Sequence, residues 1–253
     1  MTNQESIANQ MIELRLTGMR ETYAIRAKQA REHNLASEDF FGLMMQDEIE
    51  FRKGAKIKRL LRVAALRCSA SLEEIDTKID RGLDKKQLND LATCRFIDDG
   101  LNILILGPTG VGKTHTASAI GNAACRQGYS TVFYRMNTLI EQLLLARAKG
   151  TYLNLIKRIA AADLLILDDF GIKPLDPQHY QDLYDVVDER GEEKSTIITS
   201  QLPVENWNEV ISDAVTCEAI TDRLSSRAIR MVMKGTSYRS KRQTKKQAQL
   251  DKD

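Results

Sequence analysis

The sequence predicts an α/β fold: a parallel sheet flanked by helices, preceded by an all-helical N-terminal domain. Three observations carry that prediction. Short runs of strand length, at residues 101–106, 129–136, 164–169, 195–201 and 229–233, alternate with stretches of helical composition, which is the pattern of successive βα units. The first run feeds Gly107-Pro108-Thr109-Gly110-Val111-Gly112-Lys113-Thr114, which fits G-x-x-x-x-G-K-[ST] at every fixed position and leads into the helix-forming Ala117-Ser118-Ala119-Ile120. Residues 5–67, by contrast, read as helical throughout.

With 253 residues the chain suits one domain of ordinary size plus an appendage. A hydrophobic share of 42% and a charged share of 28% are those of a soluble globular protein, and no apolar run approaches the roughly 18 residues of a membrane span. Residues 1–12 are polar and hold no signal-peptide segment, so the expected location is the cytoplasm, with no membrane partner. Cys68, Cys94, Cys125 and Cys217 form no C-x-x-C pair, and His33, His115 and His179 are scattered, which argues against a disulfide framework and a zinc cluster. His115, directly after the glycine-rich pattern, reads as a helix-face residue.

In chain order, Ile7, Met11 and Leu14 share one helical face, Gly18 is the expected break, and a second helix covers 20–32. Ser37 reads as an N-cap, with Glu38 and Asp39 in the first turn and Phe40, Phe41, Leu43 and Met44 as the apolar face. This helix runs toward a basic stretch, with Gly54 as a point where it can break. Ile57, Leu60, Leu61 and Ala64 fall on one side and Arg52, Lys56, Arg59 and Arg62 roughly opposite. From 52 to 67 there are seven cations, including Lys53, Lys58 and Arg67, and no carboxylate. A solvated face usually mixes signs, so Arg52, Lys53, Lys56, Arg59 and Arg62 are read as contacts to a DNA phosphate backbone.

Residues 69–82 form a polar connector, after which Asp84 caps a helix containing Leu88 and Leu91. Helices are expected over 138–149, 152–161, 178–189 and 218–228, the last bearing Arg223 and Arg227. The tail beyond Arg239, with Lys241, Arg242, Lys245 and Lys246, is expected to be disordered. The resulting division is 1–68 helical, 69–240 nucleotide-binding and 241–253 basic tail.

The residue types explain the chemistry. Gly107, Gly110 and Gly112 let the backbone take positive φ and turn successive N–H groups inward, forming an anion-binding concavity at a helix N-terminus. Lys113 supplies an ammonium for the β- and γ-phosphates of a nucleoside triphosphate, and the Thr114 hydroxyl suits a ligand on Mg²⁺. The run Leu164-Leu165-Ile166-Leu167 ends in Asp168-Asp169. At the carboxyl end of a parallel strand Asp168 can hold Mg²⁺, and Asp169 can orient or deprotonate an attacking water. The polar end of the run at 195–201 puts Ser200 or Gln201 beside the γ-phosphate.

These residues resemble a family. The glycine-rich loop (Walker A), the acidic strand end (Walker B), Thr199-Ser200-Gln201, Asp222-Arg223-Leu224 and Gly235-Thr236-Ser237-Tyr238-Arg239 resemble the AAA+ ATPases related to the helicase loader DnaC. Within that group, Leu14-Arg15-Leu16-Thr17-Gly18-Met19 and Leu91-Ala92-Thr93-Cys94-Arg95-Phe96-Ile97 are similar to the IstB-like helper ATPases of bacterial insertion sequences. The resemblance runs from about residue 10 to Arg239. It implies ATP with Mg²⁺, ATP hydrolysis, binding to double-stranded DNA, homo-oligomerisation promoted by ATP and DNA, and a cognate transposase helped in target selection. The N-terminal helices would contact transposase, DNA or both. It also implies Gln201 as the sensor 1 residue, Arg223 as an arginine finger and Arg239 as a second nucleotide sensor. Asp169 departs from the glutamate common at that position, which implies slow hydrolysis or a use of ATP chiefly as an assembly switch. The alternatives are a DnaC-like helicase loader, a small-metabolite kinase and a nonenzymatic DNA-binding module.

Overall fold

The computed structural model describes residues 3–77, 81–235 and 237. Backbone contacts divide the chain into two units, Met1–Arg59 and Leu60–Asp253, and the division falls within a helix.

Helices α1 (Asn3–Glu13), α2 (Thr17–Glu32) and most of α3 (Ser37–Ala64) build the first unit. The break expected at Gly18 comes earlier, at residues 14–16, where Arg15 takes a φ of 55°; Gly18 is buried inside α2. Its role is close packing. A Cβ on Gly18 would lie 2.6 Å from Phe51 Cβ and 2.8 Å from the Asp47 carbonyl oxygen of α3, so a larger residue would push the two helices apart. Polar bonds fix the same crossing. Glu48 accepts the Met19 N–H at 3.1 Å, and Arg26 donates to both oxygens of Asp47 at 2.8 and 2.7 Å. The Arg26 bond holds the Asp47 carboxyl down at about 2 against the opposing effect of burial. Gly54 does not break α3: nothing beyond the helix's own backbone would touch a Cβ there, and α3 continues into the basic stretch.

In the second unit the polar connector holds a short 3-10 turn, Leu72–Glu74. Next comes α4 (Lys85–Ala92), capped by Asp84, which accepts the Lys86 N–H at 3.1 Å. Then α5 (Arg95–Asp98) leads to β1 (Asn102–Leu106). After it follow α6 (Lys113–Gln127), β2 (Thr131–Arg135), α7 (Met136–Ala148), α8 (Tyr152–Ala160), β3 (Leu164–Phe170), α9 (Pro177–Arg190), β4 (Ser195–Ser200), α10 (Ala214–Ser225) and β5 (Ala228–Val232). The helix expected over 218–228 sits further upstream because Asp213 caps it, accepting the Thr216 N–H at 2.8 Å, which leaves Ala228 to the last strand.

The strands pair in the order β2-β3-β4-β1-β5, every pair parallel. A parallel sheet needs both faces covered, and alternate residues supply two apolar clusters. Ile103, Ile105, Ile166 and Ile197 join Ala117 and Ile120 of α6 on one face. On the other, Leu104, Leu165, Leu167 and Ile198 pack with residues of α7 to α10 and with Trp207. The carboxyl ends of β1, β3 and β4 therefore emerge along one edge, where a ligand crevice forms in such sheets. Among the described residues no helix is long and apolar enough to cross a membrane.

Candidate nucleotide site

The loop between β1 and α6 is shaped by its glycines. Gly107, Gly110 and Gly112 have φ of 146°, 83° and 109°. A Cβ at Gly107 would strike the Met233 carbonyl oxygen, and one at Gly110 the Ser237 side chain, so both space and backbone torsion exclude larger residues. The loop is anchored at its start by the Gly107 N–H, which donates to Ser200 O at 3.1 Å, and by the Met233 N–H, which donates to Leu106 O at 2.7 Å. Among the described residues none of the backbone N–H groups of residues 109–114 donates to a backbone carbonyl, so these groups are available to an anion at the N-terminus of α6.

Lys113 is 6% exposed, and its Nζ donates to Gly107 O at 2.7 Å and Pro108 O at 2.9 Å. Burial pulls its pKa below the ordinary lysine value, while Asp169 and Asp168 nearby oppose that shift. Asp168, at the end of β3, is 1% exposed and accepts the Thr114 hydroxyl at 2.9 and 3.1 Å and the Thr199 hydroxyl at 2.6 Å. Burial raises its carboxyl, the two hydroxyl bonds and Arg135 resist, and the adjacent Asp169 adds to the rise. Thr114 and Asp168, 54 residues apart in sequence, are thus in direct contact.

Their oxygens are hard donors of the kind Mg²⁺ takes. Among the described residues no group of three or more His, Cys, Asp or Glu could hold a metal by itself. A hydroxyl, a carboxylate, phosphate oxygens and water suit Mg²⁺, which keeps part of its hydration shell. The residues present fit that ion.

The other predicted residues fall in different places. Ser200 is buried, donates to Phe170 O at 2.9 Å and accepts the Leu202 N–H at 3.0 Å, so its hydroxyl is engaged within the fold. Gln201, the other candidate for the γ-phosphate, is exposed at the same strand end. Arg223 is not brought to its own chain's loop. Asn102, the first residue of β1, donates from Nδ2 to Arg223 O at 3.0 Å, so Arg223 lies at the sheet edge opposite the glycines. There its Nη2 donates to Asp188 at 2.7 Å and to the Tyr184 hydroxyl at 3.3 Å. Arg227 sits close by, donating to Asp99 O at 2.9 Å.

On α3, Arg52 pairs with Glu48 at 2.7 Å and Lys53 with Glu50 at 3.5 Å, so two of the five basic residues meet carboxylates one turn upstream of the acid-free stretch. Lys56, Arg59 and Arg62 are exposed, with no ion pair among the described residues. Arg239 and the basic tail lie outside the described residues. Sequence reasoning placed Thr199 in the polar strand end Thr199-Ser200-Gln201 but gave it no role of its own; its hydroxyl donates to the Asp168 carboxylate and accepts the Asp169 N–H.

The fold and the site define a P-loop nucleotide-binding domain built on a parallel sheet. A family profile described as IstB-like ATP binding protein matches residues 9–248, and the chain belongs to that family. It is similar to a putative insertion sequence ATP-binding protein of Sinorhizobium fredii, with 37% identity over 230 residues covering 91% of this chain and 94% of that protein. An insertion sequence putative ATP-binding protein of Pseudomonas fluorescens shares 39% over 196 residues, covering 77% of this chain and 85% of the relative. Among solved structures, the DnaC helicase loader superposes with a TM-score of 0.55 at 22% identity, over 65% of this chain and 97% of that one, a likeness of fold.

Proposed function

We propose that this ATP-binding protein hydrolyses ATP, assembles on double-stranded DNA in the cytoplasm and helps its cognate transposase select a target. The observation that carries the reading is the Thr114–Asp168 contact, which joins the phosphate loop to the acidic strand end in one buried site. Membership of a family whose relatives are named insertion sequence ATP-binding proteins supports the biological setting.

The backbone N–H groups of the loop receive the phosphates and Lys113 bridges the β- and γ-phosphates, leaving its bonds to Gly107 O and Pro108 O. Thr114 and Asp168 would hold Mg²⁺, which would supply charge neutralisation on the phosphate oxygens. Asp169 orients a water and takes its proton as the water oxygen bonds to the γ-phosphorus; the bond from that phosphorus to the β–γ bridging oxygen breaks, yielding ADP and inorganic phosphate. Gln201 contacts the γ-phosphate, Arg223 reaches the site of a neighbouring subunit, and Arg239 adds a second cationic contact. Arg52, Lys53, Lys56, Arg59 and Arg62 contact DNA phosphates.

Phosphate release measured with and without duplex DNA tests the reading. DNA-stimulated turnover is expected, and Asp169→Asn should reduce it by about 10²- to 10⁴-fold, the range for loss of a general base, with nucleotide affinity kept. Absence of turnover would favour a nonenzymatic DNA-binding module, and phosphorylation of a small molecule would favour a kinase. A transposase reading frame beside this one in the genome would separate the helper from a helicase loader, which would share every nucleotide residue.

A further inference from the structure

The proposed hydrolysis asks different things of two adjacent carboxylates, one for the metal and one for water. Successive side chains on a strand point to opposite faces, so adjacency alone would send one of the pair away from the loop. The structure departs from that alternation. Strand β3 pairs regularly with β4 from Leu164 opposite Ser195 to Leu167 opposite Ile198, then slips, so that Phe170 lies opposite Ser200. Asp168 and Asp169 together face one residue, Thr199, which is the geometry of a β-bulge. Asp169 takes the strain, with a φ of 62°.

Thr199 is 0% exposed, and its single oxygen serves both ends of the bulge. It donates its proton to Asp168 Oδ1 at 2.6 Å and accepts the Asp169 N–H at 3.0 Å. A hydroxyl has one proton and two lone pairs, so it can do both; no apolar residue of that shape can do either. The same Asp168 oxygen accepts the Thr114 hydroxyl at 2.9 Å, which extends the chain of contacts from Asp169 to the phosphate loop. An Asp169 N–H turned out of the ladder would otherwise be left with no partner in a partly buried site.

We propose that Thr199 is a positioning residue for ATP hydrolysis: its hydroxyl sets the bulge that holds Asp168 against Thr114 and aims Asp169 at water. This rests on the hydrolysis reading above. The test compares T199V, which keeps the shape and removes the hydroxyl, with T199S, which keeps the hydroxyl. Two quantities are read on the full chain: kcat for ATP, and the Mg²⁺ affinity of the complex with a fluorescent ATP analogue. Loss of a group that orients a ligating carboxylate typically costs 10- to 100-fold, so T199V should lower both by about that factor while metal-free analogue binding stays within about threefold. T199S should remain within about threefold of wild type. If T199V does not fold, T199A against T199S carries the same comparison.

Wild-type kcat and Mg²⁺ affinity in a folded variant lacking the hydroxyl would overturn the proposal, as would a T199S as impaired as T199V. A wild-type protein with no turnover would overturn the hydrolysis reading instead. The Mg²⁺ comparison would then still decide whether Thr199 orients Asp168.

Discussion

At the carboxyl end of β1 the chain works almost without side chains. Three glycines at positive φ shape the loop, the buried Lys113 bonds two of its carbonyls, and the part-buried Thr114 bonds the buried Asp168. At the amino end of the same five-residue strand the arrangement is reversed. Arg223 and Arg227 are exposed and held by Asp188, Tyr184 and a backbone carbonyl, contributions from elements far apart in sequence. The first end is a backbone geometry with a sequence signature. The second is a meeting of side chains, and its purpose depends on what approaches from outside.

Substitutions at the two ends sharpen this contrast. Lys113→Ala should have the largest effect on nucleotide binding, lowering the affinity for a fluorescent ATP analogue by about 100-fold, since a charged hydrogen bond to phosphate is worth about 1.5–3 kcal/mol. Unchanged affinity in an equilibrium titration would remove the phosphate-loop reading. Arg223→Ala should leave that affinity within about twofold yet abolish ATP-dependent assembly and reduce turnover by about 10³-fold, as loss of an arginine finger does. Mixing it with the Lys113→Ala protein should restore part of the activity, because a mixed junction pairs an intact loop with an intact arginine. Light scattering that shows normal assembly, together with an inactive mixture, would move the role to Arg227.

The smallest effect is expected in the basic stretch of α3. Neutralising Lys56, Arg59 and Arg62 should weaken duplex DNA binding without changing sequence preference, each lost phosphate contact lowering the log–log salt slope by about 0.9. Neutralising Arg52 and Lys53 should lower it less, since Glu48 and Glu50 already pair with them. Anisotropy titrations in salt measure both, and a slope unchanged in the triple variant would return the stretch to a solvated face.

What could be read in advance follows the same division. The five strands and the phosphate loop were legible because burial on two faces and positive φ each select residue types locally. Gly18 was not legible as a packing residue: its meaning depends on Phe51 and Asp47 of another helix, and a helical glycine looks like a break until that neighbour is known. The upstream start of α10 depends on Asp213, whose carboxylate accepts the Thr216 N–H three residues further on. The role of Thr199 escaped because its partners are a carboxylate and a backbone N–H on a neighbouring strand, 31 and 30 residues away, and a register slip has no local signature.

Asn102 bonds α10 to the beginning of the strand whose other end carries the glycines, donating from its side chain to Arg223 O and from its backbone to Arg227 O. The second unit therefore has a direction, with a nucleotide-receiving pole and an arginine-presenting pole. If Arg223 serves the next copy and that copy's Arg223 serves a third, the junction is head-to-tail. Copies then add as links in a polar chain or close as a ring. In an open chain the terminal loop meets no arginine, so completed ATP sites number one fewer than the subunits, and the shortest assemblies turn over least ATP per copy.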